Sequence, residues 1–293
     1  MEVDQADSLR RRLGVKGGPP GEPAPLRVIA VTSGKGGVGK THLAANLAVL
    51  AARAGRRVLV VDADLGLANV EIVFGITPRY HLGHLVDGRA SIEEVLAEGP
   101  RGIRVLPAGS GVQELTRLDE VKQFRLITAL DPVEDAFDTV IIDSGAGIGD
   151  NVLFFVGAAQ EALLVVSPEP TSLTDSYAAV KVLSRSAGVR RFEVVVNQAP
   201  TEAVARETFQ RLTGVTDRFL NVEVRYLGSL PRDENVHRAV MAQQPVVELF
   251  PQSPVSRALS GIADRLLEAP PPRHLEGGLK FLWQRLFRES ASR

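Results

Sequence analysis

The sequence predicts an α/β fold: a doubly wound, mostly parallel sheet of seven or eight strands with helices on both faces. Three observations carry this prediction. Short apolar runs alternate with segments of helical periodicity across residues 26–268. Several runs are apolar at every position, as strands covered on both faces must be. The first run leads straight into a glycine-rich loop and then a helical segment, the order that a phosphate-binding strand, loop and helix requires.

Taken in chain order, residues 1–13 place Asp4 and Asp7 before Arg10, Arg11 and Arg12, the polarity a helix dipole favours. Ala6, Leu9 and Leu13 fall on one narrow helical face. Eight of the twelve residues 14–25 are Gly or Pro, which makes this stretch a linker. The predicted strands are Leu26–Thr32, Val58–Val61, Ile103–Leu106, Thr139–Ile142, Ala162–Val166, Glu193–Val196 and Arg225–Leu230. Helical patterns lie at Lys40–Ala54, Ser172–Ala187 and Thr201–Leu212, and a last one spans about Ser253–Glu268. Three consecutive prolines stop that last helix, and residues 269–278 form a second linker. Residues 279–289 then put Leu279, Leu282, Trp283, Leu286 and Phe287 on one face, with Lys280, Gln284, Arg285, Arg288 and Glu289 off it. Phe281 is the one misfit.

Composition excludes several classes of function. The 293 residues are 44% hydrophobic and 24% charged, which rules out global disorder. A net charge of −1 argues against a general nucleic-acid binder. The absence of cysteine removes disulfides, thiolate zinc sites, iron–sulfur clusters and cysteine nucleophiles together. The charged start is not a secretory signal, and no apolar run approaches the ~18 residues of a membrane span, so a cytoplasmic location is expected. The five histidines, at 42, 81, 84, 237 and 274, show no metal spacing beyond His81/His84, and are expected at the surface or in packing.

The strongest chemical signal is Gly34-Lys35-Gly36-Gly37-Val38-Gly39-Lys40-Thr41, which satisfies G-x-x-x-x-G-K-[ST]. Glycines let the backbone curl until successive N–H groups face phosphate oxygens, and the following helix start adds its positive end. Lys40 would meet the β- and γ-phosphates and Thr41 would ligate Mg²⁺. Two further apolar strands end in carboxylates: Asp62 and Asp64 after the second, and Asp143 after the fourth, where an Asp can serve Mg²⁺. Strand carboxyl ends are where open α/β sheets bind ligands.

Ser33–Thr41 resembles the deviant Walker A loop, KGGVGKT, of the MinD/ParA ATPases, and the likeness extends over about residues 26–268. The resemblance implies a P-loop NTPase fold, ATP and Mg²⁺ as ligands, and slow hydrolysis in an ATP-bound homodimer. It implies that Lys35 reaches across the dimer to the partner's phosphates, that Asp64 orients the attacking water, and that Asp62 lies near the metal. Asn197 and the segment at Pro231 and Asp233 would help hold adenine. His42 follows Thr41 where relatives carry a hydroxyl or small residue, and Gly145 stands where MinD-like proteins usually have proline.

Within the family, the missing cysteines exclude the iron–sulfur branches, and a tail without tyrosine excludes the tyrosine kinases. The run Asp62-Ala63-Asp64-Leu65-Gly66-Leu67-Ala68-Asn69 is similar to MinD and to the flagellar FlhG branch. Asp4-Gln5-Ala6-Asp7-Ser8-Leu9-Arg10 resembles the D-Q-A-x-x-L-R element of the FlhG branch. There it contacts and stimulates FlhF, a signal-recognition-type GTPase, so Gln5, Leu9 and Arg10 are candidate partner-binding residues. The 279–289 segment looks like a membrane-targeting helix, implying reversible association with anionic lipid at the inner face of the cell membrane. Flagellar C-ring proteins or a flagellar transcription activator are further implied partners, and no specific nucleic acid is expected. The alternative is a MinD-like division-site ATPase or a ParA-like chromosome or plasmid partition ATPase.

Overall fold

The computed structural model describes residues 26–64, 69–107 and 120–269, together with Gln284. Eight strands form one sheet: β1 (Arg27–Ser33), β2 (Val58–Ala63), β3 (Ala97–Glu98), β4 (Arg104–Pro107), β5 (Thr139–Ala146), β6 (Glu161–Val166), β7 (Arg191–Ala199) and β8 (Glu223–Pro231). Their order is β3-β4-β2-β5-β1-β6-β7-β8. Every neighbouring pair is parallel except β3 with β4. The helices that matter below are α1 (Lys40–Arg53), α2 (Val70–Phe74), α3 (Leu82–Val86), α4 (Ile92–Val95), α5 (Glu120–Ala129), α6 (Asp150–Ala158), α7 (Pro170–Ser186), α8 (Glu202–Phe219), α9 (Glu234–Met241), α10 (Val246–Leu249) and α11 (Pro254–Glu268).

Two cores follow from the two-residue period of the strands. Val28 and Ala30 of β1 join Leu59, Val140, Leu164 and Val194 in one core. Ile29 and Val31 join Val60, Ile141, Val165 and Val195 in the other, which α1 and α11 cover. Both faces of the central strands are therefore dry, which is why these runs lack polar positions.

The structure adds three features to the sequence pattern. β3 is a two-residue antiparallel edge with no apolar run of its own. Helix α8 continues past Leu212 to Phe219, because its inner positions include Thr208 and Thr216. Their hydroxyls return to backbone carbonyls, Thr208 Oγ1 to Val204 O at 2.7 Å and Thr216 Oγ1 to Thr213 O at 3.2 Å, so polar residues are buried without an unmet bond. Strand β5 runs on through Asp143 to Ala146.

At the start of the sheet, Arg27 is buried and donates from Nε and Nη2 to Glu161 Oε1 and Oε2 at 2.7 and 2.9 Å. Its Nη1 donates to the Ala269 carbonyl at 2.9 Å. One guanidinium thus joins the first residues of β1 and β6 to the residue after α11. Residues 1–25, with Gln5, Leu9 and Arg10, lie outside the described residues, as do Leu279, Leu282, Trp283, Leu286 and Phe287. Among the described residues, no helix is long and apolar enough to cross a membrane.

Candidate nucleotide and magnesium site

The phosphate loop leaves the carboxyl end of β1 and enters α1. Gly39 sits at φ 94°, the left-handed region that glycine occupies without penalty, and its carbonyl accepts the first bond of α1 from Leu43 N. A Cβ there would also fall 2.3 Å from Asn197 Nδ2. At Gly34 a Cβ would fall 2.1 Å from the Asp175 carbonyl carbon, so the loop packs on the α7 backbone at a distance only glycine permits.

Lys40 opens α1 and is only 6% exposed, inside the loop. Lys35 points elsewhere. Its Nζ donates to Glu169 Oε2 at 2.8 Å and Thr171 Oγ1 at 3.2 Å, at the start of α7, with Lys35 partly and Glu169 largely exposed. The two lysines of the loop therefore have separate surroundings in one protomer.

Sheet order places the acids. Because β5 lies between β1 and β2, Asp143 is the register partner of both Val31 and Asp62. Asp143 is fully buried, and burial, followed by the charge of Asp62, pushes its carboxyl up to about 7. The Thr41 hydroxyl and Lys40 are close enough to pull it the other way, yet neither Asp143 oxygen completes a hydrogen bond of normal geometry. Asp62 is pushed up to about 6, mainly by burial. It accepts from Asp64 N at 3.2 Å, Asn69 N at 3.1 Å and Val70 N at 3.2 Å, and so holds the start of α2. Asp64 faces the Gly145 segment: a Cβ on Gly145 would lie 3.8 Å from Asp64 Oδ1.

A bare buried carboxylate beside a hydroxyl and a second carboxylate fits a divalent cation. Among the described residues no three His, Cys, Asp or Glu side chains form a complete metal cage. That suits Mg²⁺, which takes one or two protein oxygens and completes its shell with water and substrate phosphate. The segment after Asp143 is anchored despite Gly145. Ser144 Oγ donates to Val31 O at 2.9 Å and Gly147 N donates to Ser33 O at 2.8 Å.

A cavity of about 320 Å³ opens beside the loop, lined by Gly39, His42, Asn46, Asn197, Gln198, Pro231 and Arg232 among others. Burial holds the His42 imidazole below its ordinary value. Asn197, the sequence's adenine candidate, spends its Nδ2 on Val38 O at 2.7 Å and its Oδ1 on Gln198 N at 2.8 Å. It ties β7 to the phosphate loop. Asp233 caps α9 through Asn235 N at 2.9 Å and reaches α11 through Val255 N at 3.2 Å. Glu169, Thr171 and Gln198 carry no sequence signal that would have singled them out. His81 and His84 serve as a local cap of α3, each ring Nδ1 accepting a backbone N–H at 3.2 Å.

Comparison with known proteins gives a consistent answer. The antiactivator FleN of Pseudomonas aeruginosa is 46% identical over 268 residues, covering 92% of this chain and 96% of FleN. The flagellum site-determining protein YlxH of Helicobacter pylori is 30% identical over 266 residues, 89% of this chain and 90% of YlxH. The septum site-determining protein MinD of Pyrococcus horikoshii, solved with Mg-ADP, superposes with a TM-score of 0.64 at 26% identity, covering 82% of this chain and 96% of that one. Residues 29–246 match the model of the CobQ/CobB/MinD/ParA nucleotide binding domain, and the chain belongs to that family.

Proposed function

We propose that the chain is an ATP-hydrolysing switch that acts as a homodimer and regulates flagellar number and placement. The observation that carries the enzymatic part is the buried, unpartnered Asp143 carboxylate beside Lys40 and Thr41 of the phosphate loop. Residues Gly34 to Thr41 would cradle the triphosphate, with Lys40 as the fixed counter-charge. His42, Asn197 and Pro231 would border the nucleoside. Thr41 and Asp143 would hold Mg²⁺, with Asp62 beside them; the ion supplies positive charge against the β- and γ-phosphates. Asp64 would orient the attacking water. Lys35, which lies outside its own loop on Glu169, would serve the second protomer's phosphates, as an arginine finger does in trans.

The flagellar part rests on the similarity to FleN and YlxH and on the D-Q-A-x-x-L-R pattern of residues 4–10. In this reading Gln5, Leu9 and Arg10 stimulate an FlhF-like GTPase. Leu279, Leu282, Trp283, Leu286 and Phe287 place the ATP-bound dimer on anionic lipid at the inner membrane face, and hydrolysis returns the monomer to the cytoplasm.

The test combines two variants with a count. Lys40→Ala should lose nucleotide binding, whereas Asp64→Ala should keep ATP and run as a dimer on size-exclusion chromatography. A monomeric Asp64→Ala at saturating ATP and Mg²⁺ rejects the dimer switch. Deleting the gene in the source bacterium should change the number of flagella per cell, and an unchanged number and position rejects the flagellar role.

A further inference from the structure

The sheet ends on two strands of unequal length. β3 closes one side with two residues, too short to template another strand. β8 closes the other side with nine, Glu223–Pro231, and among the described residues it pairs with β7 alone. The middle of β8 is covered. Arg265 of α11 reaches round the edge and donates from Nε to Leu227 O at 2.8 Å, and a Cβ on Gly228 would fall 2.6 Å from Arg265 Nη2. An incoming chain would have to displace that guanidinium. Among the described residues, no side chain covers the backbone of Glu223 to Tyr226 in this way.

Local geometry fixes what the uncovered stretch presents. Glu223 N donates to Arg190 O at 2.7 Å, so Glu223 directs its backbone toward β7. Successive residues of a strand alternate, and Val224 therefore turns its N–H and carbonyl outward. Side chains alternate as well. Val224 and Tyr226 pack against the core beneath α8. Glu223 and Arg225 project from the other face, each 49% exposed, and Arg225 Nε donates to Glu223 Oε1 at 2.6 Å. Edge strands are commonly blunted by charge, and a row of like charges repels a second copy. Here the signs are opposite, and Glu223-Val224-Arg225 is its own complement when two copies run antiparallel. With Val224 on the two-fold axis, the two valines exchange both N–H···O bonds, and each Glu223 stands opposite the partner's Arg225 on the same face. The bond that Arg225 and Glu223 make within one chain is exposed and weak, so it gives way to the pairs across the axis at little cost.

We propose that residues 223–226 of β8 form a self-association edge, on which a second copy of this chain pairs antiparallel about Val224 and continues the sheet. The contact is isologous and needs no nucleotide. It lies at the start of an edge strand, whereas the phosphate loop follows the carboxyl end of β1 in the middle of the sheet. One chain therefore has room for a β8 partner and a nucleotide-dependent partner together, and ATP-bound dimers join into rows. The rows rest on the dimer reading above; the edge pairing does not.

The experiment is sedimentation equilibrium of the full chain without nucleotide, over a concentration series up to about 0.5 mM. The variants are Glu223→Arg and Arg225→Glu. Wild type should form dimers. Each single variant sets two like-charge pairs across the axis and should lower the association constant by about tenfold or more. An equimolar mixture of the two variants restores opposite charges on both sides of the axis and should associate as wild type does. Thermal unfolding checks that each variant folds. A wild type that stays monomeric throughout the series overturns the proposal. Single variants that associate like wild type overturn it too, as does a mixture that fails to recover. Adding ATP and Mg²⁺ to Arg225→Glu reads the other interface: a failure to dimerise there is a failure of the nucleotide switch, not of the edge.

Discussion

Asp143 stores a conflict between stability and ligand binding that Asp143→Asn should release. Its carboxyl is pushed from the ordinary 3.8 up to about 7, so between those values the folded protein binds a proton that the unfolded chain has already lost. Stability of the nucleotide-free protein therefore falls as pH rises through this window and levels off above it. A shift of about 3 units corresponds to roughly 4 kcal/mol at pH 8, and full burial leaves no solvent to screen it. The asparagine amide, with no partner at the site, takes back about 1–3 kcal/mol. Asp143→Asn should thus be more stable than wild type at pH 8 by about 1–3 kcal/mol. At pH 5 wild-type Asp143 is mostly protonated, and the gain should shrink by about 3 kcal/mol, to nothing or to a deficit. Urea unfolding of both proteins across pH 5–8, without nucleotide, measures the difference directly. Mg²⁺ with ATP should stabilise wild type at pH 8 more than it stabilises the variant, which keeps the phosphate loop and loses one ligand of the ion. A difference between the two proteins that does not change with pH would show that Asp143 is not buried as a charged group, and the cation argument would fall with it.

Two further outcomes follow from packing and from the chain's end. Arg27→Met should cost about 3–5 kcal/mol by stranding the Glu161 carboxylate, while the double variant with Glu161→Leu should recover most of that loss, as a chemical-denaturation double-mutant cycle would read. A protein ending at Ala269 should lose sedimentation with anionic liposomes, because the apolar face from Leu279 to Phe287 is gone; equal binding by both lengths rejects the lipid role.

The sheet was legible because buried parallel strands leave little choice of residue. Val58–Val61 and Ala162–Val166 had to be apolar throughout, and they are. What escaped was whatever hid behind polar residues. Thr208 and Thr216 face inward on α8 by turning their hydroxyls to the backbone, so the apolar period stops at Leu212 while the helix does not. In the candidate site, residues adjacent along the chain were legible, since loop chemistry demands Gly34 to Thr41 in series. The pairing of Asp62 with Asp143 needed only the expectation of acids at strand ends. Lys35 with Glu169 and Asn197 with Val38 join residues more than 130 positions apart, and no local pattern encodes them. The left-handed backbone of Gln198, at φ 57°, was invisible because nothing but a glycine would have announced it.

The Arg27 guanidinium has a consequence for tethering. By holding the Ala269 carbonyl, it makes the point where residues 1–25 join the core the same point where residues 270–293 leave it. That point lies at the start of β1, and the phosphate loop lies at its far end, about 20 Å away along seven strand residues. Whatever is joined to the folded domain through either segment is therefore attached at the pole turned away from the phosphate loop.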